Sequence, residues 1–278
     1  MSTVVTSSEA SLLAGETVGE TAYRRMRADI IFGRLAPGEK LKLDRVSRTY
    51  GGSVSTMREL LNRLGSEGLI VAEGQRGFEV APVSPEDFRE VAAMRQLLEC
   101  HAIEKSFAAG DLDWEGRVVA AHHKLAVMEK LMIAGGLSEP EIWKRCDWEF
   151  HHALVSACGS KVLMRAHAAI YDKYLRYQMV AVIFRGEVAA REHQTLLDCA
   201  LARNAPKAQE VLITHIQSCV EHALAGDTAA WLRPPPFQRQ GRVGEGGLSP
   251  GAETSGRRLG LRRGPREAGR ARKNQSGT

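Results

Sequence analysis

Hydrophobic positions in the first third of the chain repeat at helical spacing in three successive stretches. Ala22, Met26 and Ile30 recur in VGETAYRRMRADIIFGR, which predicts a helix that ends at the following Leu-Ala-Pro-Gly. The segment LDRVSRTYG predicts a short second helix closed by two glycines. A third helix is predicted from residues 53–56 through MRELLNRLGSEG, and the hydroxyl side chains at its start can cap its first amides.

After the third helix the pattern changes from helical spacing to short β-prone runs. LIVA at 69–72 and GFEV at 77–80 flank a polar turn that contains a glycine, which predicts a small hairpin. Three helices followed by a hairpin are typical of a winged helix-turn-helix, whose third helix fits the major groove of DNA. We therefore assign residues 18–82 to a DNA-binding domain.

From Ser84 onward the pattern is helical with short breaks. Serine followed by Pro85 is a capped helix start, and breaks near 109–113, 135–140, 158–160, 184–187 and 203–206 divide the remainder into six or seven helices. We find no repeat of 20 to 50 residues, so the pattern indicates a bundle and not a solenoid. The predicted fold is mostly α-helical: a winged helix-turn-helix and an all-helical bundle at 84–226.

Composition adds limits to this picture. No run of apolar residues is long enough to cross a bilayer and the N-terminus does not resemble a secretion signal, so we expect a cytoplasmic protein with no membrane partner. The five cysteines form no Cys-x-x-Cys pair, which is typical of reduced packing residues.

The net charge of +5 comes from the C-terminal tail. Residues 233–278 contain 11 basic and 3 acidic residues, a local charge of +8, so the rest of the chain carries −3. Rich in Gly, Pro and Arg, this tail is predicted to be disordered, as are residues 1–17. It can attract phosphates or be a solvated extension without a specific role.

Basic and hydroxyl side chains are placed where a winged helix meets DNA. Hydroxyl and backbone groups at the start of the third helix can contact phosphate while a guanidinium one turn later reaches a guanine edge. The alternative is that the arginines only solvate a helix face or pair with nearby glutamates. The candidate DNA-contacting residues are Arg45, Arg48, Ser55, Thr56, Arg58, and, at the hairpin tip, Gln75 and Arg76.

The segment DWEFHHAL places a carboxylate and an imidazole, Asp147 and His151, four residues apart on one helix face. His193 and His215 lie on two later helices that a short turn can bring together. If these residues converge, their nitrogen and oxygen donors suit Zn²⁺, Ni²⁺ or Mn²⁺ better than Ca²⁺. The alternatives are core histidines with satisfied hydrogen bonds, or a metal-dependent enzyme, although the chain has no recognisable catalytic motif.

Several motifs resemble those of a known family. IIFGRLAPGEKL at 30–41, RELLNRLGSEGLI at 58–70 and QRGFEV at 75–80 resemble the DNA-binding domain of the GntR family, and the helical remainder resembles its FadR-type branch with an FCD ligand domain. The resemblance covers roughly residues 18–225 and extends to the carbon-starvation-induced, glutarate-responsive repressors. Val54 stands where the family usually has arginine, which affects the expected operator.

The resemblance implies a function and a set of site residues. FCD domains of the metal-binding type carry their ligands at the positions of Asp147, His151, His193 and His215, and a family arginine at Arg95 helps to bind a small organic acid. The alternative for Arg95 is an intrahelical pair with Glu99. We thus expect a homodimeric repressor of a double-stranded DNA operator, because two half-sites multiply base discrimination. A regulator that senses the metal itself is the other possibility.

Overall fold

A computed structural model describes residues 17–72, 77–135, 140–181 and 184–226. Within these ranges the chain forms nine α-helices and one three-stranded antiparallel sheet, which confirms the predicted fold class. Residues 1–16 of the predicted disordered N-terminus and the whole predicted tail at 233–278 lie outside the described residues. Gln75 and Arg76, the two candidates at the hairpin tip, also lie outside them.

The N-terminal unit is a winged helix-turn-helix. Its elements are α1 (Val18–Ile31), β1 (Lys40–Leu41), α2 (Leu43–Tyr50), α3 (Val54–Ser66), β2 (Ile70–Ala72) and β3 (Phe78–Val80). β2 and β3 form the predicted hairpin, with Ile70 opposite Val80. β1 pairs with the other edge of β3, with Leu41 opposite Phe78, and gives the sheet order β1-β3-β2. This strand has two residues, too short for an alternation pattern to reveal it.

The apolar faces of the three helices meet in one core. Met26, Ile30, Met57, Leu61 and Leu64 are all fully buried in it. Met26 and Ile30 are positions that the helical spacing predicts on one face, and burial of each such side chain stabilises the fold by roughly 2 kcal/mol. The spacing of apolar residues thus fixes which face of α3 is left for other contacts.

The turn between α2 and α3 depends on glycine. Gly51 and Gly52 have φ angles of 80° and 92°, a region that side chains with a Cβ rarely adopt. A Cβ at Gly52 would lie 3.2 Å from the Cε of Met57. Ser53 then caps α3, its side chain accepting a hydrogen bond from the amide of Thr56.

Six helices form the bundle in the described C-terminal part. They are α4 (Pro85–Ala109), α5 (Leu112–Ile133), α6 (Pro140–Val155), α7 (Lys161–Val180), α8 (Glu187–Leu201) and α9 (Ala205–Ala225). The predicted start of α4 is present, because Ser84 accepts a hydrogen bond from the amide of Asp87 and Pro85 occupies the first helical position. Six is the lower of the two helix numbers that the pattern indicates.

The bundle has its own apolar core, built from all six helices. α4 packs against α7 and α9, and α5 packs against α6 and α8. Trp114 of α5 is fully buried and its indole N–H donates to the carbonyl of Ala153 on α6 at 2.9 Å. Among the described residues no helix combines the length and the apolar character needed to span a membrane.

Polar contacts join the winged helix to the bundle. Arg27 of α1 pairs with Asp172 of α7, and Arg34 pairs with Glu141 at the start of α6. Arg176 of α7 donates to the backbone carbonyl of Ala81, which follows β3. α7 is therefore the bundle helix that contacts the DNA-binding unit at two separate points.

Candidate metal centre and DNA-binding surface

Asp147 and His151 lie one turn apart on the inward face of α6, as their spacing predicts. Asp147 is 2% exposed and His151 is fully buried. The Oδ1 atom of Asp147 is 4.0 Å from Nε2 of His151 and 3.3 Å from Nε2 of His193, which α8 brings to the same point. Two helices distant in sequence thus direct their polar atoms at one place in the bundle.

His215 on α9 completes the cluster. His151, His193 and His215 each offer a ring nitrogen, and these three atoms lie within 4.8 Å of one another. The ring centroids of His193 and His215 are 4.7 Å apart. The four residues that the sequence nominates as metal ligands are therefore together and buried.

A carboxylate contacts Nδ1 of each of the three imidazoles. Nδ1 of His151 is 3.1 Å from Glu99, and Nδ1 of His193 is 2.6 Å from Glu129. Nδ1 of His215 is 2.7 Å from Glu192. In a neutral imidazole, a carboxylate on one ring nitrogen fixes the tautomer and leaves the other nitrogen unprotonated and able to bind a metal.

The ring nitrogens on the Asp147 side differ in their surroundings. Nε2 of His151 is buried and has no hydrogen-bond partner within the described part of the chain, whereas Nε2 of His193 faces Oδ1 of Asp147 at 3.3 Å. Buried polar atoms normally have partners, so the unpaired nitrogen of His151 is an exception that a metal ion would explain. The residues present therefore fit a divalent metal ion with nitrogen and oxygen ligands, such as Zn²⁺, Ni²⁺ or Mn²⁺.

The surroundings of the three histidines shift their pKa values in different directions. Burial, aided by the Arg95 charge, lowers the pKa of His151 to about 4. Burial also lowers the pKa of His215 to about 3, against the opposing effect of its bond to Glu192. Burial alone would lower the pKa of His193 as well, but Asp147 and Glu129 on either side of its ring raise it to about 9. Two imidazoles are thus neutral and ready to bind a cation, while the third is an imidazolium between two carboxylates that must lose a proton before it can bind one.

The two oxygens of Asp147 have different surroundings. Oδ1 faces the imidazoles, whereas Oδ2 accepts a hydrogen bond from the hydroxyl of Tyr171 at 2.8 Å and lies 3.4 Å from the ammonium of Lys144. Burial opposes ionisation, but the Lys144 ammonium and the two nearby imidazoles hold the pKa of Asp147 well below its usual range. The carboxylate is therefore charged, with one oxygen held by the protein and the other directed at the cluster.

Arg95 forms the intrahelical pair with Glu99 that the sequence offers as its alternative role. Its Nε is 2.7 Å from Glu99, both side chains are buried, and the guanidinium lies 4.4 Å from the ring centroid of Tyr171 and 4.5 Å from that of Tyr174. Its Nη1 has no hydrogen-bond partner among the described residues. The pair therefore leaves one donor of Arg95 available beside the cluster.

The described candidates for DNA contact lie on α2 and α3. Arg45, Arg48, Ser55 and Arg58 are exposed, and Thr56 is half-buried because its hydroxyl contacts Ser53. Arg45 also pairs with a nearby glutamate, the alternative role for these arginines, because its Nη1 lies 3.5 Å from Oε1 of Glu39. The exposed set occupies the faces of α2 and α3 that the core leaves free.

Sequence reasoning missed the residues that support the cluster. Glu129 and Glu192 back two of the histidines, and Lys144 neutralises Asp147. Glu129 had a detectable signal, because it falls at helical spacing between the apolar Leu125 and Met132 and so lies on the buried face of α5. Lys144 had a similar signal, because it falls at helical spacing before Asp147 and His151 on the buried face of α6, whereas no comparable signal marks Glu192.

A winged helix joined to a helical bundle with a buried histidine and carboxylate cluster defines a DNA-binding regulator. The pattern of the bacterial regulatory proteins of the gntR family matches residues 18–80, and the pattern of the FCD domain matches residues 90–218. The chain belongs to the gntR family and carries an FCD domain, as the sequence motifs indicate. It is a transcriptional regulator and not an enzyme.

Two relatives agree with this assignment, and a solved structure shares the fold. The chain is 36% identical to the HTH-type transcriptional regulator BphR of Paraburkholderia xenovorans, over 72% of this chain and 83% of that protein. It is 28% identical to the HTH-type transcriptional repressor GlaR of Escherichia coli K12, over 74% of this chain and 96% of that protein. The crystal structure of a GntR regulator from Rhodococcus sp. RHA1 has the same fold, with a TM-score of 0.62, 23% identity and coverage of 75% of this chain and 98% of that one.

Proposed function

We propose that this regulator is a repressor whose operator affinity is controlled by a small carboxylate bound at a divalent metal ion in the FCD domain. Asp147, His151, His193 and His215 would hold the ion. The protein would act in the cytoplasm as a homodimer on a two-fold double-stranded DNA operator. GlaR and RspR, two relatives that are repressors, support repression over activation.

The observation that carries the proposal is the arrangement of the imidazoles. His151 directs a buried, unpartnered Nε2 toward Oδ1 of Asp147, which Nε2 of His193 also faces at 3.3 Å, and a carboxylate contacts Nδ1 of each ring. A cluster of core histidines with satisfied hydrogen bonds would not leave Nε2 of His151 unpaired. The supporting carboxylates favour a metal site, because metal-binding histidines usually donate their other ring N–H to such a group.

A bound divalent ion would supply a Lewis-acidic position for a carboxylate oxygen of the effector. Arg95 supports an anionic ligand, because its Nη1 is buried without a partner beside the cluster. Charge-assisted hydrogen bonds from a guanidinium to a carboxylate are among the stronger polar contacts in proteins. Glu99 holds the guanidinium in place while this donor is used.

On the DNA side, α3 is the proposed recognition helix. Ser55 and Thr56 near its N-terminus would contact phosphate, and Arg58 one turn later would reach a base edge, with Arg45 and Arg48 of α2 on the adjacent backbone. Gln75 and Arg76 of the wing are proposed to contact the neighbouring groove. A single winged helix makes few base contacts, so specific binding favours a dimer on two half-sites.

The competing candidate is a regulator that senses the metal alone. Its support is the Arg95–Glu99 pair, which is fully buried and already compensates the guanidinium charge. In that case the metal ion would change operator affinity by itself, and carboxylates would have no further effect.

A titration of the operator complex separates these candidates. An operator is first selected from random-sequence DNA, and its binding is followed by fluorescence anisotropy with metal-stripped and Zn²⁺-loaded protein, each with and without acetate, succinate, glutarate or citrate. We expect one of the acids to weaken binding by the Zn²⁺-loaded protein by about 5- to 150-fold, the usual range for coupled sites. An equal effect on stripped protein, or none with any acid, would contradict carboxylate control through a metal.

A further inference from the structure

Tyr171 occupies the boundary between the histidine cluster and the DNA-binding unit. It is fully buried on α7 and its hydroxyl donates to Oδ2 of Asp147 at 2.8 Å. Oδ1 of the same carboxylate faces the imidazoles of His151 and His193. The hydroxyl of Tyr171 therefore depends on the orientation of a side chain that the proposed function treats as a metal ligand.

The ring of Tyr171 belongs to a different environment from its hydroxyl. It is part of an apolar cluster, separate from both domain cores, that also contains Ile31 and Phe32 at the end of α1 and Leu175 and Met179 of α7. We call this group the α1–α7 cluster. Tyr171 thus contacts Asp147 through its hydroxyl, while its ring shares an apolar cluster with the end of the first helix of the DNA-binding unit.

The residue after Tyr171 strengthens the connection. Asp172 pairs with Arg27 of α1, and Nε of Arg27 also lies 2.9 Å from Glu67 at the C-terminal end of α3. Any shift of α7 at Tyr171 and Asp172 therefore acts on α1 directly and on α3 through a single arginine. α3 is the helix proposed to enter the major groove.

We propose that Tyr171 is the positioning residue that transmits the state of Asp147 to the DNA-binding unit, an inference that rests on the proposed metal site. Binding of a cation at Oδ1 restricts the carboxylate, and the hydroxyl hydrogen-bonded to Oδ2 must follow it. Because packed interiors have few voids, a small displacement of a buried ring moves its neighbours in the α1–α7 cluster. The consequence is a difference in operator affinity between metal-bound and metal-free protein.

A simpler explanation of the contact is that any buried tyrosine hydroxyl needs a hydrogen-bond partner. Tyr174 provides the comparison, since it is also fully buried on α7. The Arg95 guanidinium lies 4.5 Å from the ring centroid of Tyr174 and 4.4 Å from that of Tyr171. The hydroxyl of Tyr174 donates to the carbonyl of Ile216 at 3.5 Å and not to Asp147. Loss of the Tyr174 hydroxyl therefore removes a buried hydroxyl of the same helix without touching the proposed route.

The test compares Tyr171→Phe with Tyr174→Phe in the full-length protein. Both substitutions keep the ring, so both variants should retain the wild-type far-ultraviolet circular dichroism spectrum. Zn²⁺ affinity is measured by competition with a chromophoric chelator, and affinity for the selected operator is measured with and without Zn²⁺, alone and with succinate. We expect Tyr171→Phe to bind Zn²⁺ within about tenfold of wild type, the smaller of the effects typical for groups that support a ligand.

The deciding quantity is the ratio of the operator affinity measured with Zn²⁺, alone or with succinate, to the affinity measured without them. We expect Tyr171→Phe to bring this ratio close to one, while Tyr174→Phe keeps the wild-type ratio. An unchanged ratio in Tyr171→Phe, or an equal loss in both variants, overturns the inference. Wild-type protein that binds Zn²⁺ without any change in operator affinity overturns it too and leaves the metal site standing, whereas wild-type protein that binds no Zn²⁺ refutes the proposed function itself.

Discussion

Nδ1 of His193 lies 2.6 Å from Oε1 of Glu129, and both side chains are buried. The contact joins α8 to α5 and orients the imidazole so that its other nitrogen faces Asp147 at 3.3 Å. A carboxylate in this position raises the basicity of a metal-binding imidazole as well as fixing its direction. Glu129 is therefore as much a part of the candidate centre as the histidine it supports.

Replacing Glu129 by glutamine should weaken metal binding without abolishing it. The amide keeps the shape of the side chain but removes the charge that stabilises the His193 ring, so we expect Zn²⁺ affinity to fall by about 10- to 100-fold. Isothermal titration calorimetry measures the change. Glu149→Gln is the control, since Glu149 lies on the other side of α6 and pairs with Lys124 at the surface; a similar loss there would show that the effect is not specific to the site.

Loss of the His193 imidazole should remove the ion more completely. In His193→Ala we expect the metal content of purified, Zn²⁺-reconstituted protein to fall toward zero and the response to carboxylates to disappear, while metal-stripped protein still binds the operator. Plasma emission spectrometry gives the metal content per chain. His222→Ala removes an exposed imidazole of α9 and should change nothing; full metal retention in His193→Ala would count against the ligand set.

Truncation of Arg58 should weaken operator binding by about 1 to 3 kcal/mol, the usual value for a guanidinium that reads a base edge. Arg58 is exposed on α3, so the loss should not disturb the fold. Anisotropy titrations at fixed salt measure it. Arg191→Ala removes an exposed arginine of α8 that pairs with Glu187, and an equal effect of the two substitutions would refute a specific role for Arg58.

The same substitution should have opposite effects at a glycine in the turn between α2 and α3 and at a glycine inside α5. Gly52→Ala places a Cβ at φ 92° and 3.2 Å from Met57, which should destabilise the protein by about 1 to 2 kcal/mol. Gly116→Ala, inside α5 with open space around the added Cβ, should stabilise it by about 1 kcal/mol. Urea denaturation compares the two variants with wild type, and an increase in stability for Gly52→Ala would contradict the account of the turn.

Most of the fold could be predicted because its signals are local. The apolar spacing of Met26 and Ile30, the cap at Ser84 and the glycines at 51 and 52 each act within one or two turns of the chain. The two-residue strand β1 escaped prediction because its pairing with β3 is specified by tertiary structure and not by a pattern of its own.

For the candidate centre, too, local spacing predicts some of the residues and contacts but not others. The spacing of Asp147 and His151 predicts that they share a helix face, and the structure brings His193 and His215 to them. The assignment of a particular carboxylate to each histidine could not be predicted, because Glu192 is adjacent to His193 in the chain yet contacts His215 on the next helix. The connection from Tyr171 to α1 depends likewise on packing between domains that no local pattern encodes.

The most direct test of the central claim is an anomalous difference map from crystals of Zn²⁺-loaded protein, recorded at the zinc absorption edge. If these four residues bind the ion, the map contains one strong peak in each chain, surrounded by Nε2 of His151, Nε2 of His193, a ring nitrogen of His215 and Oδ1 of Asp147. A map without a peak at that point, or with zinc bound only at surface residues, would contradict that claim.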